Sequence, residues 1–328
     1  MVIFSGIQPT GTKHLGNYIG GFLQYVAGQD RGDPSIYCIV DLHSITVEYD
    51  PADLRERTLD LGAMLFATGL DPERSTVFVQ SHVSAHAEAA WMLGSVTSFG
   101  ELRRMTQFKE KSDRHEFVSA GLFTYPALMA GDILLYQTEI VPVGDDQRQH
   151  IELARNIAER FNSRFGETFT IPKGVFPEQG ARIKNLQEPE RAMSTTIGAE
   201  QGVVRLVDEP DVIRKKFKTA VTDSGREVLH DPAEKPGISN LIEIMSVATG
   251  DSIAEIESRY DGAGYGQFKE DVGEAVVALV APIQERFREL RSDDAELQSL
   301  LRFGADKARE ASAPTLSAMY ERMGFVRP

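Results

Sequence analysis

Phe4-Ser5-Gly6-Ile7-Gln8-Pro9-Thr10-Gly11-Thr12-Lys13-His14-Leu15-Gly16-Asn17 reads as a buried strand, a turn punctuated by glycine, and the start of a helix. In doubly wound sheets ligands sit beyond the C-terminal ends of strands, with phosphates near a helix N-terminus. Two phosphate motifs fail here. A P-loop needs Gly, four residues, then Gly-Lys-Ser/Thr, whereas Gly11 is followed by Thr12-Lys13, which puts the lysine one place late. The dinucleotide pattern G-x-G-x-x-G is absent. What remains is a turn ending in His14-Leu15-Gly16-Asn17, where Gly16 lets a ligand approach the backbone and His14 and Asn17 offer donors one helical turn apart. Spacing alone leaves two readings: a phosphate site, or a pair of residues that merely cap a helix.

Around this stretch, short β-branched or aromatic runs alternate with longer helical patterns, the signature of βαβ units. Residues 2–5, 35–40, 76–80 and 139–143 read as strands, and their near-continuous hydrophobicity fits a parallel sheet buried on both faces. Residues 53–67 and 146–161 carry apolar side chains at three-to-four spacing, as helices packed on that sheet require. The expected class is α/β, with a doubly wound parallel sheet. From 176 to 202 the chain turns to Pro, Gly, Gln, Ser and Thr without periodicity, which predicts a mobile linker or loop. Helical patterns then dominate at 210–220, 237–249, 252–260, 268–290, 294–303 and 305–323, predicting an all-helical second domain. The expected division is 1–190 and 191–328, with an insertion at about 100–139.

The 328 residues carry a formal charge of −14, are 41% hydrophobic and include one cysteine. That composition excludes disorder as the main state, an internal disulfide and a Cys-rich zinc motif. No apolar run approaches the roughly 18 residues of a membrane span, and 1–6 lacks a signal-peptide pattern, so a soluble cytoplasmic enzyme is expected. The acidity also argues against an electrostatic nucleic-acid coat. Two local stretches run the other way: 191–226 has seven basic against five acidic residues, and 101–115 has five against three. They permit brief, salt-dependent engagement of one folded RNA.

The first stretch resembles the HIGH signature of class I aminoacyl-tRNA synthetases, and with FSGIQPTG and HLGNYIGG around it, the bacterial tryptophan-specific group in particular. The likeness continues in order through Val40-Asp41-Leu42-His43-Ser44-Ile45-Thr46, Met105-Thr106-Gln107-Phe108-Lys109-Glu110-Lys111-Ser112, Tyr125-Pro126, Gly131-Asp132-Ile133-Leu134-Leu135-Tyr136, Val141-Pro142-Val143-Gly144-Asp145-Asp146-Gln147, Ala220-Val221-Thr222-Asp223-Ser224 and Lys235-Pro236-Gly237-Ile238-Ser239-Asn240. It implies a Rossmann-type catalytic domain, a mobile signature loop and a helical anticodon-binding domain. The implied reaction activates L-tryptophan with ATP to the adenylate plus pyrophosphate, then transfers it to tRNA(Trp), by a homodimer. Such chemistry needs positioning and charge stabilisation rather than a covalent enzyme intermediate. Mg²⁺ is expected with the phosphates, not in an all-protein cage.

The resemblance assigns catalysis to Gln8, His14, Asn17, Met193 and Ser194. Nucleotide binding is implied for Gln8, Pro9, Thr10, His14, Gly16, Asn17, Gly144, Asp145, Asp146, Gln147, Ile183, Ala192, Met193, Ser194, Thr195 and Thr196. Tyr125, Met129 and Asp132 stand at i, i+4 and i+7 and share a helical face. A carboxylate in so apolar a segment is costly to bury unless something donates to it, and an indole N–H is a donor without acceptor function. Sequence alone favours the plainer reading, an Asp132 at a helix end paired with a nearby arginine. The resemblance makes Asp132 the indole acceptor, with Phe4, Gly6, Met129, Val141 and Val143 as walls and Tyr125 and Gln147 at the amino end. Such a hydrogen bond rejects phenylalanine without an editing site. His43, past the second strand, reads either as a ligand contact or as a buried histidine. His82 and His86 are four apart, but H-E-x-x-H and a third ligand are missing, so no metal site is expected. Cys38 reads as core. Phe99, Leu102, Met105, Phe108, Phe117, Leu122 and Phe123 form an apolar stretch that is either subunit interface or core.

One departure stands out. Where the second class I signature has Lys-Met-Ser-Lys-Ser, this chain has Ala192-Met193-Ser194-Thr195-Thr196, without either lysine. A Lys-Met-Ser-Thr-Thr form is familiar among relatives, so Ala192 is the greater departure. Losing one preorganised contact costs on the order of 10²–10³ in rate, and Arg191, Lys215 or Lys216 are the candidates to compensate. Weaker activity than in relatives with the full motif is expected, and a gain on Ala192→Lys is its test. The rivals are a tyrosine-specific synthetase and a paralogue that binds tryptophan, ATP or a partner without efficient charging. A nicotinamide-dependent oxidoreductase lacks its glycine fingerprint.

Overall fold

A computed structural model describes residues 1–112, 117–144, 147–175, 183–195 and 198–326. Its centre is a five-stranded parallel sheet of β1 (Ile3–Ile7), β2 (Ser35–Ile39), β3 (Thr76–Val79), β4 (Ile140–Pro142) and β5 (Lys173–Val175), in the order β3-β2-β1-β4-β5. β1 and β2 run in register from Ile3↔Ser35 to Ile7↔Ile39, and β1 meets β4 at Ile3↔Ile140. The chain therefore builds outward from β1 on one side, then crosses to β4 on the other. The strand order reverses between β1 and β4, which opens a crevice beyond their C-terminal ends.

Side chains alternate across the sheet as a period of two demands. Tyr37, Ile39, Val77 and Val79 face one apolar core, shared with Phe217, Ile238, Phe268 and Val276 of the helical half. Phe4, Ile36, Cys38, Val40 and Phe78 face the other, shared with helices Ala85–Gly94, Ala120–Leu134 and Arg148–Phe165. Cys38 is a core residue.

Three sequence expectations shift. β5 is an additional strand; Lys-Gly-Val has no apolar run, because it lies at the sheet edge with its outer residues exposed. The expected helices 294–303 and 305–323 are one, Asp294–Met323. Gly304 does not break it but brings it against β3: a Cβ there would lie 1.8 Å from the Val77 carbonyl oxygen. Finally, the described part of 176–202 is a packed turn, with Ile183, Leu186, Met193 and Asn185 buried. The Asn185 amide closes it, accepting from the Gln187 and Glu188 backbones and donating to the Ala199 carbonyl. Buried polar side chains that satisfy backbone groups replace the periodicity that sequence reading looks for.

Candidate active site

The first strand delivers its turn to the crevice. His14 caps the short helix Leu15–Asn17: its Nδ1 accepts from the Asn17 backbone N–H at 3.3 Å, while Asn17 Oδ1 accepts from the His14 N–H at 3.1 Å. A wide π-type turn, Tyr18–Phe22, follows at once. With Nδ1 an acceptor, a neutral His14 carries its proton on Nε2. Burial, aided by the neighbouring Lys13 charge, pushes its pKa down to about 4. His14 Nε2–H and the two Asn17 amide protons therefore remain to donate to a ligand. Lys13 braces the turn by donating to the Gln8 and Thr10 carbonyls at 2.9 and 3.1 Å, and burial pushes its pKa down to about 8.

The second signature folds onto the first. A Cβ on Gly16 would lie 3.5 Å from Met193 Cβ, and one on Gly11 would lie 2.9 Å from Thr195 Oγ1. Gly11 sits at φ +63°, a left-handed conformation that favours glycine. Antiparallel pairing of His14 with Arg205, through bonds from Leu15 N to Val204 O and from Leu206 N to Lys13 O, ties the turn to the segment after the loop. Ile183 is buried and accepts from the Met193 N–H. Pro9 is buried, while Thr10 and Ala192 are exposed and Ser194 is half-buried. Gly144 accepts from the Gln147 N–H at the start of helix Arg148–Phe165. Asp145, Asp146 and Thr196 lie outside the described residues.

Beside this turn a cavity of about 1150 Å³ opens between β1, β4 and helix Ala120–Leu134. Phe4, Gly6, His43, Tyr125, Met129, Asp132, Val141, Val143 and Gln147 all line it, together with Gln8. At its base Asp132 is 1% exposed. His43 Nε2 donates to Oδ2 at 2.8 Å, and Gln80 Nε2 and His86 Nδ1 both donate to Oδ1 at 2.6 Å. Burial opposes ionisation, but the hydrogen bonds and charge of His43 and His86 prevail and hold the carboxyl well below the usual carboxylate range. Its partners are thus two histidines and a glutamine, not an arginine. A carboxylate has about four lone-pair sites, so three donors leave one acceptor site, on Oδ2 beside His43. Gln80 is fixed in turn, since its Oε1 accepts from the Leu42 N–H.

His43 is therefore both buried and cavity-lining. His82 and His86 fall on separate elements, Gln80–His82 and Ala85–Gly94, and His86 is committed to Asp132 and to the Tyr136 hydroxyl at 2.8 Å. Sequence reading missed Gln80 and His150, and weighed His86 only as a metal ligand. Gln80 stands just past the end of β3, a position that signals a site. His150 Nε2 lies 2.7 Å from the Tyr125 hydroxyl, which also donates to Gln107 Oε1 at 3.3 Å. Of the candidate compensating cations, Lys216 donates to Asp208 and to the Val203 carbonyl, each at 2.6 Å, and Arg191 lies 3.6 Å from Glu188. Lys215 is exposed on helix Pro210–Lys218.

The family described as tRNA synthetases class I (W and Y) matches residues 1–281. A tryptophan–tRNA ligase of Leifsonia xyli subsp. xyli is 51% identical over 99% of this chain and 97% of its own length. One from Listeria monocytogenes serotype 4b is 52% identical over 99% and 98%. Among solved structures, a Campylobacter jejuni tryptophanyl-tRNA synthetase complexed with ADP and tryptophan superposes with a TM-score of 0.87 at 34% identity, covering 99% of this chain and all of that one. A Mycoplasma pneumoniae counterpart gives 0.87 at 33% identity, with 99% and 98% covered.

Proposed function

The chain belongs to the class I tRNA synthetases for tryptophan and tyrosine, and from that premise we propose how its residues carry the reaction. It is a tryptophan–tRNA ligase: it uses ATP to activate L-tryptophan as the adenylate, with release of pyrophosphate, and passes the aminoacyl group to tRNA. The observation that carries the choice of amino acid is the buried, ionised Asp132, with one acceptor site left in a cavity whose walls include Phe4, Met129, Val141 and Val143. An indole N–H fills that site and brings no lone pair to satisfy, whereas a tyrosine hydroxyl can donate there but leaves its own oxygen in need of a donor.

In the proposed mechanism Phe4, Met129, Val141 and Val143 hold the indole ring, and Tyr125 and Gln147 orient the amino end. A tryptophan carboxylate oxygen attacks the α-phosphorus of ATP, and the bond to the bridging oxygen breaks with its electron pair leaving on pyrophosphate. His14 Nε2–H and Asn17 Nδ2–H donate to the phosphates, and Gln8 aligns the reacting groups. Because His14 is neutral at pH 7, its contribution is a fixed dipole rather than a charge. Met193, Ser194 and Thr195 close over the nucleotide from the opposite side. Mg²⁺ would arrive on the ATP phosphates and neutralise their charge when bound; no group of three His, Cys, Asp or Glu among the described residues is arranged to hold a metal ion, and a phosphate-borne ion requires none.

The helical part of 191–328 is proposed to receive the anticodon arm, and the cytoplasm, where ATP and tRNA meet, is the proposed location. Among the described residues no helix is long and apolar enough to cross a membrane. A homodimer is supported by an exposed apolar face next to the insertion: Trp91 is 85% exposed, Phe117 83% and Phe99 69%. Leu102, Met105 and Leu122 of the same stretch are core instead. The deciding experiment is aminoacylation of tRNA run with tryptophan beside tyrosine. Charging with tryptophan alone is expected; charging with tyrosine, or tryptophan binding without charging, refutes the assignment.

A further inference from the structure

The signature loop lacks a lysine at 192, yet the position is not without a neighbouring cation. Lys184 and Ala192 face each other in an antiparallel bridge. The flanking bonds run from Met193 N to Ile183 O and from Asn185 N to Arg191 O, both 2.9 Å. Lys184 and Ala192 are therefore the non-hydrogen-bonded kind of pair, whose Cα atoms stand about 4.5 Å apart with side chains on one face. A lysine stem reaches on the order of 6 Å, so an ammonium on Lys184 covers the space that one on residue 192 would. Arg191 instead closes a turn, its N–H donating to the Glu188 carbonyl at 2.9 Å, and its guanidinium lies 3.6 Å from the Glu188 carboxylate.

Two features make Lys184 fit for this task. Its backbone is clamped at both ends of the residue: its N–H donates to Asn240 Oδ1 at 2.7 Å and its carbonyl accepts from Asn240 Nδ2 at 3.1 Å, with Asn240 buried on helix Pro236–Thr249. Its ammonium, in contrast, makes no hydrogen bond or ion pair among the described residues, although the side chain is half-buried and the chain as a whole is strongly acidic. The same loop presses Met193 and Thr195 against Gly16 and Gly11 of the His14 turn.

We propose that Lys184, held across an isolated bridge from Ala192, supplies the cation that binds the pyrophosphate group as it leaves, so that the charge of the second signature is moved to the facing segment rather than lost. This rests on the ATP-dependent activation argued above. The electron pair of the breaking α–β phosphoanhydride bond leaves on pyrophosphate, and the Lys184 ammonium offsets that charge without giving up its proton.

The test is a cycle of Lys184→Met, Ala192→Lys and the double variant. Three quantities are read: binding of inorganic pyrophosphate by calorimetry, tryptophan-dependent ATP–pyrophosphate exchange, and tryptophan binding by equilibrium dialysis. Lys184→Met is expected to weaken pyrophosphate binding at least tenfold and to lower exchange by a similar factor, with tryptophan binding changed less than twofold. Ala192→Lys is expected to restore both phosphate readouts in the Lys184→Met background, and to raise them more there than in wild type. Lys184→Gln, also neutral, repeats the loss. Pyrophosphate binding within twofold of wild type in Lys184→Met, a loss that Ala192→Lys does not repair, equal gains from Ala192→Lys in both backgrounds, or an equal loss of tryptophan binding each overturns the proposal. A wild-type protein that binds pyrophosphate through Lys184 but shows no exchange with tryptophan would instead overturn the functional assignment.

Discussion

Asp132→Asn isolates the proposed specificity contact because it changes one oxygen and hardly any volume. In the wild type Oδ1 accepts from Gln80 and His86, and Oδ2 accepts from His43, leaving one acceptor site. An asparagine keeps one oxygen for Gln80, whose orientation is locked by the Leu42 N–H, and for His86. Its amide nitrogen then replaces Oδ2. One of its protons faces His43 Nε2, which in the wild type donates to Oδ2, and the other points where the indole N–H arrives. An acceptor becomes a donor, so two N–H groups confront each other. A hydrogen bond to a charged group contributes about 1.5–3 kcal/mol, and leaving the ligand N–H unpaired adds a part of its desolvation cost. The expected loss is roughly 2–4 kcal/mol, or about 30- to 1000-fold in kcat/KM for tryptophan, at about 1.4 kcal/mol per decade. Tryptophan-dependent ATP–pyrophosphate exchange measures it, with thermal unfolding to establish that the variant is folded. Discrimination against phenylalanine should shrink as well, since it rests on leaving this carboxylate unpaired. A variant within threefold of wild type in kcat/KM for tryptophan refutes the contact.

Four further outcomes follow from the structure. His14 is neutral down to about pH 4, so kcat/KM for ATP should show no histidine titration near pH 6.5; a limb there that vanishes in His14→Asn would contradict the assigned dipole role. Its folded pKa lies below the unfolded 6.5, so the stability it contributes is complete above pH 6.5 and is lost as pH falls towards 4, readable as a shallower acid decline of Tm in His14→Asn. Gly304→Ala forces helix Asp294–Met323 away from β3, because the new Cβ would stand 1.8 Å from the Val77 carbonyl oxygen; a loss of about 1–3 kcal/mol in chemical unfolding is expected, and an unchanged midpoint refutes the contact. Trp91→Glu should convert a dimer to monomer by sedimentation, and a wild-type protein that is already monomeric at micromolar concentration removes the proposed interface.

The sheet was legible because β2 and β3 are buried on both faces and so spell near-continuous apolar runs; β5, an exposed edge of Lys-Gly-Val, gives no such signal. Gly304 misled because a glycine in a helical pattern reads as a stop, whereas here it is a point of contact that exists only once helix and strand meet. The cavity wall followed from helical spacing at Tyr125, Met129 and Asp132 and from the collinear motifs. The partners of Asp132 did not follow: His43, Gln80 and His86 come from three separate segments, and only the fold brings them to one carboxylate. Lys184 was hidden for the same reason, since its relation to Ala192 is a strand pairing across a turn with no periodicity.

His14 and Asp132 also show why a structural and a functional reading of one residue need not compete. His14 spends Nδ1 on the helix cap and thereby fixes its tautomer and aims Nε2–H outward. Asp132 spends three acceptor sites on the protein and is thereby kept ionised, with a fourth left on a side chain that lines the cavity. In both, the internal bonds fix the atom proposed to meet the ligand, because a side chain not so committed would sample other rotamers and lose the preorganisation on which electrostatic stabilisation depends. Alanine substitution at either position removes cap and contact together and cannot separate them. Isosteric changes that preserve the internal bonds and alter the remaining atom, such as Asp132→Asn, are the ones that can.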